Sequence, residues 1–228
     1  MADIILAGST SGSITVSSPA ISGTNTLTLP AVTDTLVGLA ATQTLTNKTL
    51  TTPNLGTPST LVLTNATGLA AAAMPAGSVL QVVSTNITST FSTSSSSYTD
   101  ITSLSVTITP SSASNKILVS VNVPAGVTTA TSGAMLQLVR GATAIGNGTA
   151  VGNRTACATE INEAMYYAAQ TNAWTYLDSP STTASTTYKI QIISQSGGTV
   201  YVNRSYEDTN AAERGRSSSN ITVMEIKG

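Results

Sequence analysis

Histidine does not occur in this chain, and Cys157 is its only cysteine. The first absence removes the commonest general base, the commonest metal ligand and the usual partner of a nucleophilic serine or cysteine. The second excludes an intrachain disulfide and makes cytoplasmic synthesis the default expectation. Charge is scarce as well: nine Lys and Arg stand against ten Asp and Glu, 8% of 228 residues. No basic stripe is available to neutralise phosphates, which argues against nucleic acid as a partner. No apolar run approaches the length of a membrane span, and "MADIILAGSTSG" at the start carries an acid where a signal peptide carries basic residues. Neither membrane insertion nor a cofactor is expected.

Aromatic side chains are few, and their distribution divides the chain. Residues 1–75 contain none, and their only charges are Asp3, Asp34 and Lys48. Phe91, Trp174, all seven tyrosines and the remaining charges follow. The first part holds short alternating pieces, Ile14 and Val16, then Leu27 and Leu29, each ended by a proline or a glycine-containing break. "GLAAAAMP", Gly68 to Pro75, has room for a turn or two of helix before the proline stops it. In "TQTLTNKTLTTPNLG" the leucines recur every fifth residue, at Leu45, Leu50 and Leu55. Five fits neither the helical nor the strand period. A segment with no aromatic anchor and so few aliphatic side chains recovers little of the entropy lost on ordering. Two readings stand: a Ser/Thr-rich tether, or an arm whose core is completed by other copies wound around one axis.

From residue 76 the pattern is that of a β-domain. "SVLQVVS", "YTDITSLSVTITP", "NKILVSVNVPAG", "AMLQLVRG", "TTYKIQIIS", "TVYVNRS" and "NITVMEIKG" are rich in β-branched residues and alternate locally. Turn residues such as Gly141, Gly146-Asn147 and Gly197-Gly198 separate them. Seven or more short strands favour a sandwich or jelly roll. "TEINEAMYY" reads as strand or short helix, and the tyrosines and Trp174 close by favour strand.

Catalytic patterns are weak throughout. "GSTSG" has Thr10 where a nucleophile elbow needs serine, and "GNGTAVG" is one residue off a dinucleotide fingerprint. Glu160 and Glu163 fit a solvated edge better than a glycosidase pair. Seven Asn-x-Ser/Thr sites, among them Asn203, are what a chain so rich in serine and threonine contains by chance. "NRSYEDTNAAERGR" is different, because it gathers Arg204, Glu207, Asp208, Glu213, Arg214 and Arg216 around Tyr206. One reading is an ion-pair network that closes a loop or a subunit contact. The other is a receptor loop in which Tyr206 and the arginines engage sugar hydroxyls or phosphates. "MYYAAQTNAWTY" places Tyr166, Tyr167, Trp174 and Tyr176 close together, for packing or for stacking on sugars. Cys157 reads as a small buried hydrophobe.

Three stretches resemble N-terminal and shaft segments of bacteriophage tail-fibre and virion-appendage proteins: "SGSITVSSPAISGTNTLTLPAVTDTL", "TQTLTNKTLTTPNLG" and "MPAGSVLQVVS". The ending "GRSSSNITVMEIKG", with "WTYLDSPSTTASTTYKIQI" upstream, is similar to a C-terminal β-sandwich found on such fibres. The resemblance implies an all-β homotrimer. Residues 1–40 would attach to another virion protein, 41–75 would form a short intertwined shaft, and 76–228 a jelly-roll-like β-sandwich tip. Leu45, Leu50 and Leu55 would then face the shared axis. The expected location is the virion, and the expected work is non-enzymatic attachment to a host-surface glycan. Arg204, Tyr206, Glu207, Asp208, Arg214, Arg216 and Trp174 are the candidate receptor-binding residues. A capsid decoration or head fibre is the alternative, and a polysaccharide-depolymerase tip a more distant one.

Overall fold

The computed structural model describes residues 4–7, 11–16, 49, 51, 54, 56, 70–128, 133–161 and 168–228. The chain separates into two compact units, Met1–Val62 and Leu63–Gly228. Leu45, Leu50, Leu55, Glu163, Tyr166 and Tyr167 lie outside the described residues, and so does nearly all of the expected attachment and shaft segments.

Within the first unit, β1 (Ile4–Ala7) pairs antiparallel with β2 (Ser13–Val16), and Ile4 stands opposite Val16. The alternation of Ile14 and Val16 thus belongs to a hairpin strand.

The second unit opens with one 3-10 turn, Ala71–Ala73, in place of the expected helical turns. Ala73 N–H donates to the Ala70 carbonyl at 2.8 Å, and Pro75 follows at once. Such a turn is as much regular helix as this alanine run supports before the proline removes a donor. The rest is strand: β3 (Val79–Ile87), β4 (Phe91–Thr93), β5 (Thr99–Ile108), β6 (Lys116–Val127), β7 (Ala134–Arg140) and β8 (Thr143–Ile145). Then come β9 (Thr159–Ile161), β10 (Gln170–Asp178), β11 (Thr186–Ser194), β12 (Val200–Val202) and β13 (Ser219–Ile226). All seven stretches expected to be strands are strands. The described residues hold no α-helix, and the fold is all-β.

The strands form two curled antiparallel sheets that share one hydrophobic core, an arrangement compatible with a β-sandwich. One contains β3, β4, β6, β10, β12 and β13; the other contains β5, β7, β8, β9 and β11. Period-two alternation turns Ile117, Val119, Val121 and Val123 of β6 inward, against Ile190 and Ile192 of β11 and Leu136 and Leu138 of β7. Each such side chain contributes about 1.5–3 kcal/mol when fully buried. An exposed ion pair contributes about 0–1 kcal/mol, so the inner rows decide the fold.

β6 is the central strand of its sheet. β10 runs along one edge, from Ile117 to Ala125. The other edge is shared: β13 covers Lys116 to Asn122, and β12 covers Ala125 to Val127. β12 and β13 are therefore one strand interrupted by residues 203–218, which leave the sheet and return. Beyond them β3 and β4 form a second interrupted strand, broken at residues 88–90.

Two buried carboxylates tie loops and sheets together. Asp178, at the end of β10, accepts from Arg140 Nη1 on β7 at 2.8 Å and from the Tyr188 hydroxyl on β11 at 2.7 Å. This spans the two sheets. Burial, and then the bond to Asp178, push the Tyr188 phenol well above its ordinary pKa. Glu225 points inward from β13 and is 1% exposed. Its oxygens accept from Gln81 Nε2 (2.6 Å), Asn115 Nδ2 (2.6 Å), and both the N–H (2.6 Å) and hydroxyl (2.8 Å) of Ser111. Burial alone would raise the Glu225 pKa, but the bonds from Asn115, Gln81 and Ser111 outweigh it and hold the carboxyl below its ordinary value.

Candidate receptor-binding surface

Residues 203–218 depart from the sheet at Pro124. A strand residue sends its N–H and C=O to the same neighbour, and Pro124 has no N–H. Its carbonyl accepts the Asn203 N–H at 2.9 Å. Proline within a central strand is ordinarily excluded. Here it sits opposite the break, where a second donor would have found no partner strand.

Asn203 holds both broken strands. It is fully buried and has φ +62°, a left-handed conformation that asparagine tolerates better than most residues. Its Nδ2 donates to the carbonyls of Ile87 (3.1 Å) and Ser89 (2.9 Å), at the gap between β3 and β4. Its Oδ1 accepts from the Ser219 hydroxyl at 2.7 Å, where β13 begins. Its backbone carbonyl accepts the Ser217 N–H at 3.2 Å, and Arg204 and Arg216 form a β-bridge one step outward. The excursion is thus pinned at its neck by one amide side chain.

The excursion's start passes over the outer face of the sheet. A Cβ on Gly126 would stand 3.6 Å from the Arg204 carbonyl and 3.4 Å from that of Ala168, ordinary van der Waals contact that marks how closely the backbones pass. Tyr201 is outward, since Val200 and Val202 on either side are buried core. The Arg204 guanidinium stacks on the Tyr201 ring, 4.1 Å from its centroid. The rings of Tyr201 and Tyr206 lie 5.9 Å apart at 47°. Tyr206 is 39% exposed.

The charges form a chain of pairs. Asp208 accepts from Arg216 at 2.5 Å and pairs with Arg204 at 3.2 Å; Arg214 reaches Glu207 and Glu213, each at 3.6 Å. Arg204 and Asp208 are mostly covered, whereas the Arg216 side chain is 56% exposed. The expected ion-pair network is therefore present. It fixes a surface on which Tyr206 and the Arg216 side chain are partly exposed.

The structure brings Arg204, Tyr206, Glu207, Asp208, Arg214 and Arg216 together. Trp174 stands apart: it is on β10, opposite Val121, and packs against the core beside Tyr176. Packing was one of the two uses its sequence neighbourhood suggested. Sequence reasoning missed Tyr201, the ring under Arg204, and it noticed Asn203 only as a glycosylation site. Tyr201 had a signal, since strand alternation in "TVYVN" turns it outward.

Other chemically capable groups are quiet. The Cys157 thiol is raised by burial and then by Glu160, which makes it a poor nucleophile at neutral pH. Tyr98, pushed to about 12 by burial and the neighbouring Cys157, donates to the Ala156 carbonyl at 2.8 Å. Among the described residues no three His, Cys, Asp or Glu side chains are placed to hold a metal, and no helix is long and apolar enough to cross a membrane. A pocket of about 240 Å³ lies beside the Glu225 site, between Leu80, Ser112, Ser114 and Lys227. Neither a protein-family model nor a curated protein sequence matches the chain.

Proposed function

We propose that this chain is a structural protein of a phage particle, a short homotrimeric tail fibre or spike. In this reading the N-terminal residues dock on another virion protein, and the β-domain meets a host-surface glycan. The observation that carries it is the Asn203-pinned excursion, which holds Tyr206 exposed beside the Arg204–Tyr201 stack and the half-exposed Arg216. An aromatic face flanked by a guanidinium suits a pyranose ring with a hydroxyl, carboxylate or phosphate substituent. The role is binding rather than catalysis: the chain has no histidine, and Glu207, Asp208 and Glu213 are each paired with arginine. One such surface binds weakly, and three copies per fibre with several fibres per particle raise avidity without new contacts.

The test is adsorption of particles carrying Tyr206→Ala together with Arg216→Ala. Both side chains are exposed enough to leave the fold intact, so we expect at least a tenfold loss of adsorption with the melting temperature of the protein unchanged. Undiminished adsorption would remove this surface from host recognition and leave the excursion a purely structural closure.

A further inference from the structure

Three arginines and three acids leave residues 204–216 with no net charge, but the two signs are sorted by depth. Arg204 and Arg214 lie inward, their side chains 20% and 13% exposed, whereas Glu207 and Glu213 stand outward at 38% and 67%. Arg216, at 56%, is the most exposed of the three arginines, and Asp208 holds its Nη2. The cations are taken up inside the excursion, and its rim is acidic. Asp208 adds a second asymmetry. Both of its arginine contacts, from Arg216 Nη2 and Arg204 Nη1, fall on Oδ2. Oδ1 takes neither, and the side chain is 28% exposed.

We infer that the glycan bound by this surface is neutral, built of sugars without carboxylate or phosphate groups, and that Asp208 helps select it by accepting from a sugar hydroxyl. The inference rests on the recognition reading above and narrows its ligand class. An anionic substituent needs a guanidinium fork. Arg216 is engaged by Asp208, Arg204 by Asp208 and the Tyr201 ring, and Arg214 by Glu207 and Glu213. An anion that took Arg216 would displace Asp208 and leave a mostly covered carboxylate with a poorer partner, which is costly.

A neutral sugar breaks no pair. Its hydroxyls donate to Asp208 Oδ1 and accept from the remaining Arg216 N–H groups, while its C–H face lies on Tyr206. Glu207 and Glu213 add to the preference, because like charges across a contact are disfavoured. At physiological salt the screening length is about 8 Å, so these acids act on a ligand already at the rim rather than steering it from afar.

The test separates surface polysaccharide from cells that the particles adsorb to into neutral and acidic fractions by anion exchange. Each fraction is immobilised, and retention of the full-length protein is measured for the wild type, for Tyr206→Ala with Arg216→Ala, and for Glu213→Gln. We expect the wild type to be retained at least tenfold more on the neutral fraction, and the double variant to lose that retention. Glu213→Gln, which keeps the size of an exposed side chain, should raise retention on the acidic fraction at least twofold. Wild-type retention chiefly on the acidic fraction, lost in the double variant, overturns the inference and leaves the recognition reading intact. Unchanged acidic retention in Glu213→Gln overturns the part given to the rim. Retention on neither fraction, or equal retention of the double variant, removes the recognition reading and the inference with it.

Discussion

Two buried polar side chains anchor the β12–β13 strand, Asn203 at its interruption and Glu225 near its C-terminal end, and they differ in what they tie. Asn203 meets two carbonyls and one hydroxyl, so it must donate as well as accept. Glu225 meets four donors from three residues, so an acceptor-only carboxylate serves it. Each chemistry follows from the segments gathered there. At Asn203 two strands are broken and leave carbonyls without partners. At Glu225 the loop between β5 and β6 arrives with its N–H, amide and hydroxyl groups foremost. The interruption is therefore held by an amide, which does not titrate, at the neck of the proposed recognition surface. The charged end carries the acid sensitivity.

The largest effect should come from Asn203→Ala. It strands the Ile87 and Ser89 carbonyls, deprives Ser219 of its acceptor and puts alanine at φ +62°. We expect a loss of roughly 3–4 kcal/mol in chemical denaturation and a matching loss of adsorption. Asn203→Asp separates donation from shape. A carboxylate of the same size cannot donate to either carbonyl, and near-wild-type stability at pH 7 would contradict the role given to Nδ2.

Glu225→Gln should cost less, about 2 kcal/mol at pH 7, with adsorption unaffected. Because the folded Glu225 pKa lies below its unfolded value, its contribution is fully present above the ordinary glutamate range and fades as the pH falls through the folded pKa. Stability of the wild type, followed by denaturant midpoint from pH 7 to pH 2, should therefore drop more steeply in acid than that of Glu225→Gln. Parallel curves would show that the carboxylate does not govern this end. The smallest effect on stability belongs to Tyr206→Ala, less than about 0.5 kcal/mol for a half-exposed side chain, against its large expected effect on adsorption.

The strands were legible because β-branched residues recur with alternation in β3, β5, β6, β11 and β13, and because β7 is a short, mostly apolar run closed by Gly141. β4 and β8 are three residues long, too short for a period to register. β12 is as short, but "TVYVN" is dense enough in strand formers to stand out. The charge cluster at residues 204–216 was visible as a local run of arginines and acids. Its scaffold was not. Asn203 acts on Ile87, Ser89, Pro124 and Ser219, all but one of them far away in sequence, so nothing local distinguishes it from the other asparagines followed by x-Ser or x-Thr. Glu225 was hidden for the same reason: an inward acid breaks the alternation rule unless its four donors are known. Ala71–Ala73 shows the opposite limit, since helix propensity outran what the chain could build before Pro75.

Whether three copies of this chain assemble is the claim on which the proposed trimeric fibre or spike depends. Light scattering of the full-length protein at micromolar concentration measures it directly. The account requires the mass of three chains, and a monodisperse solution with the mass of one chain would contradict it.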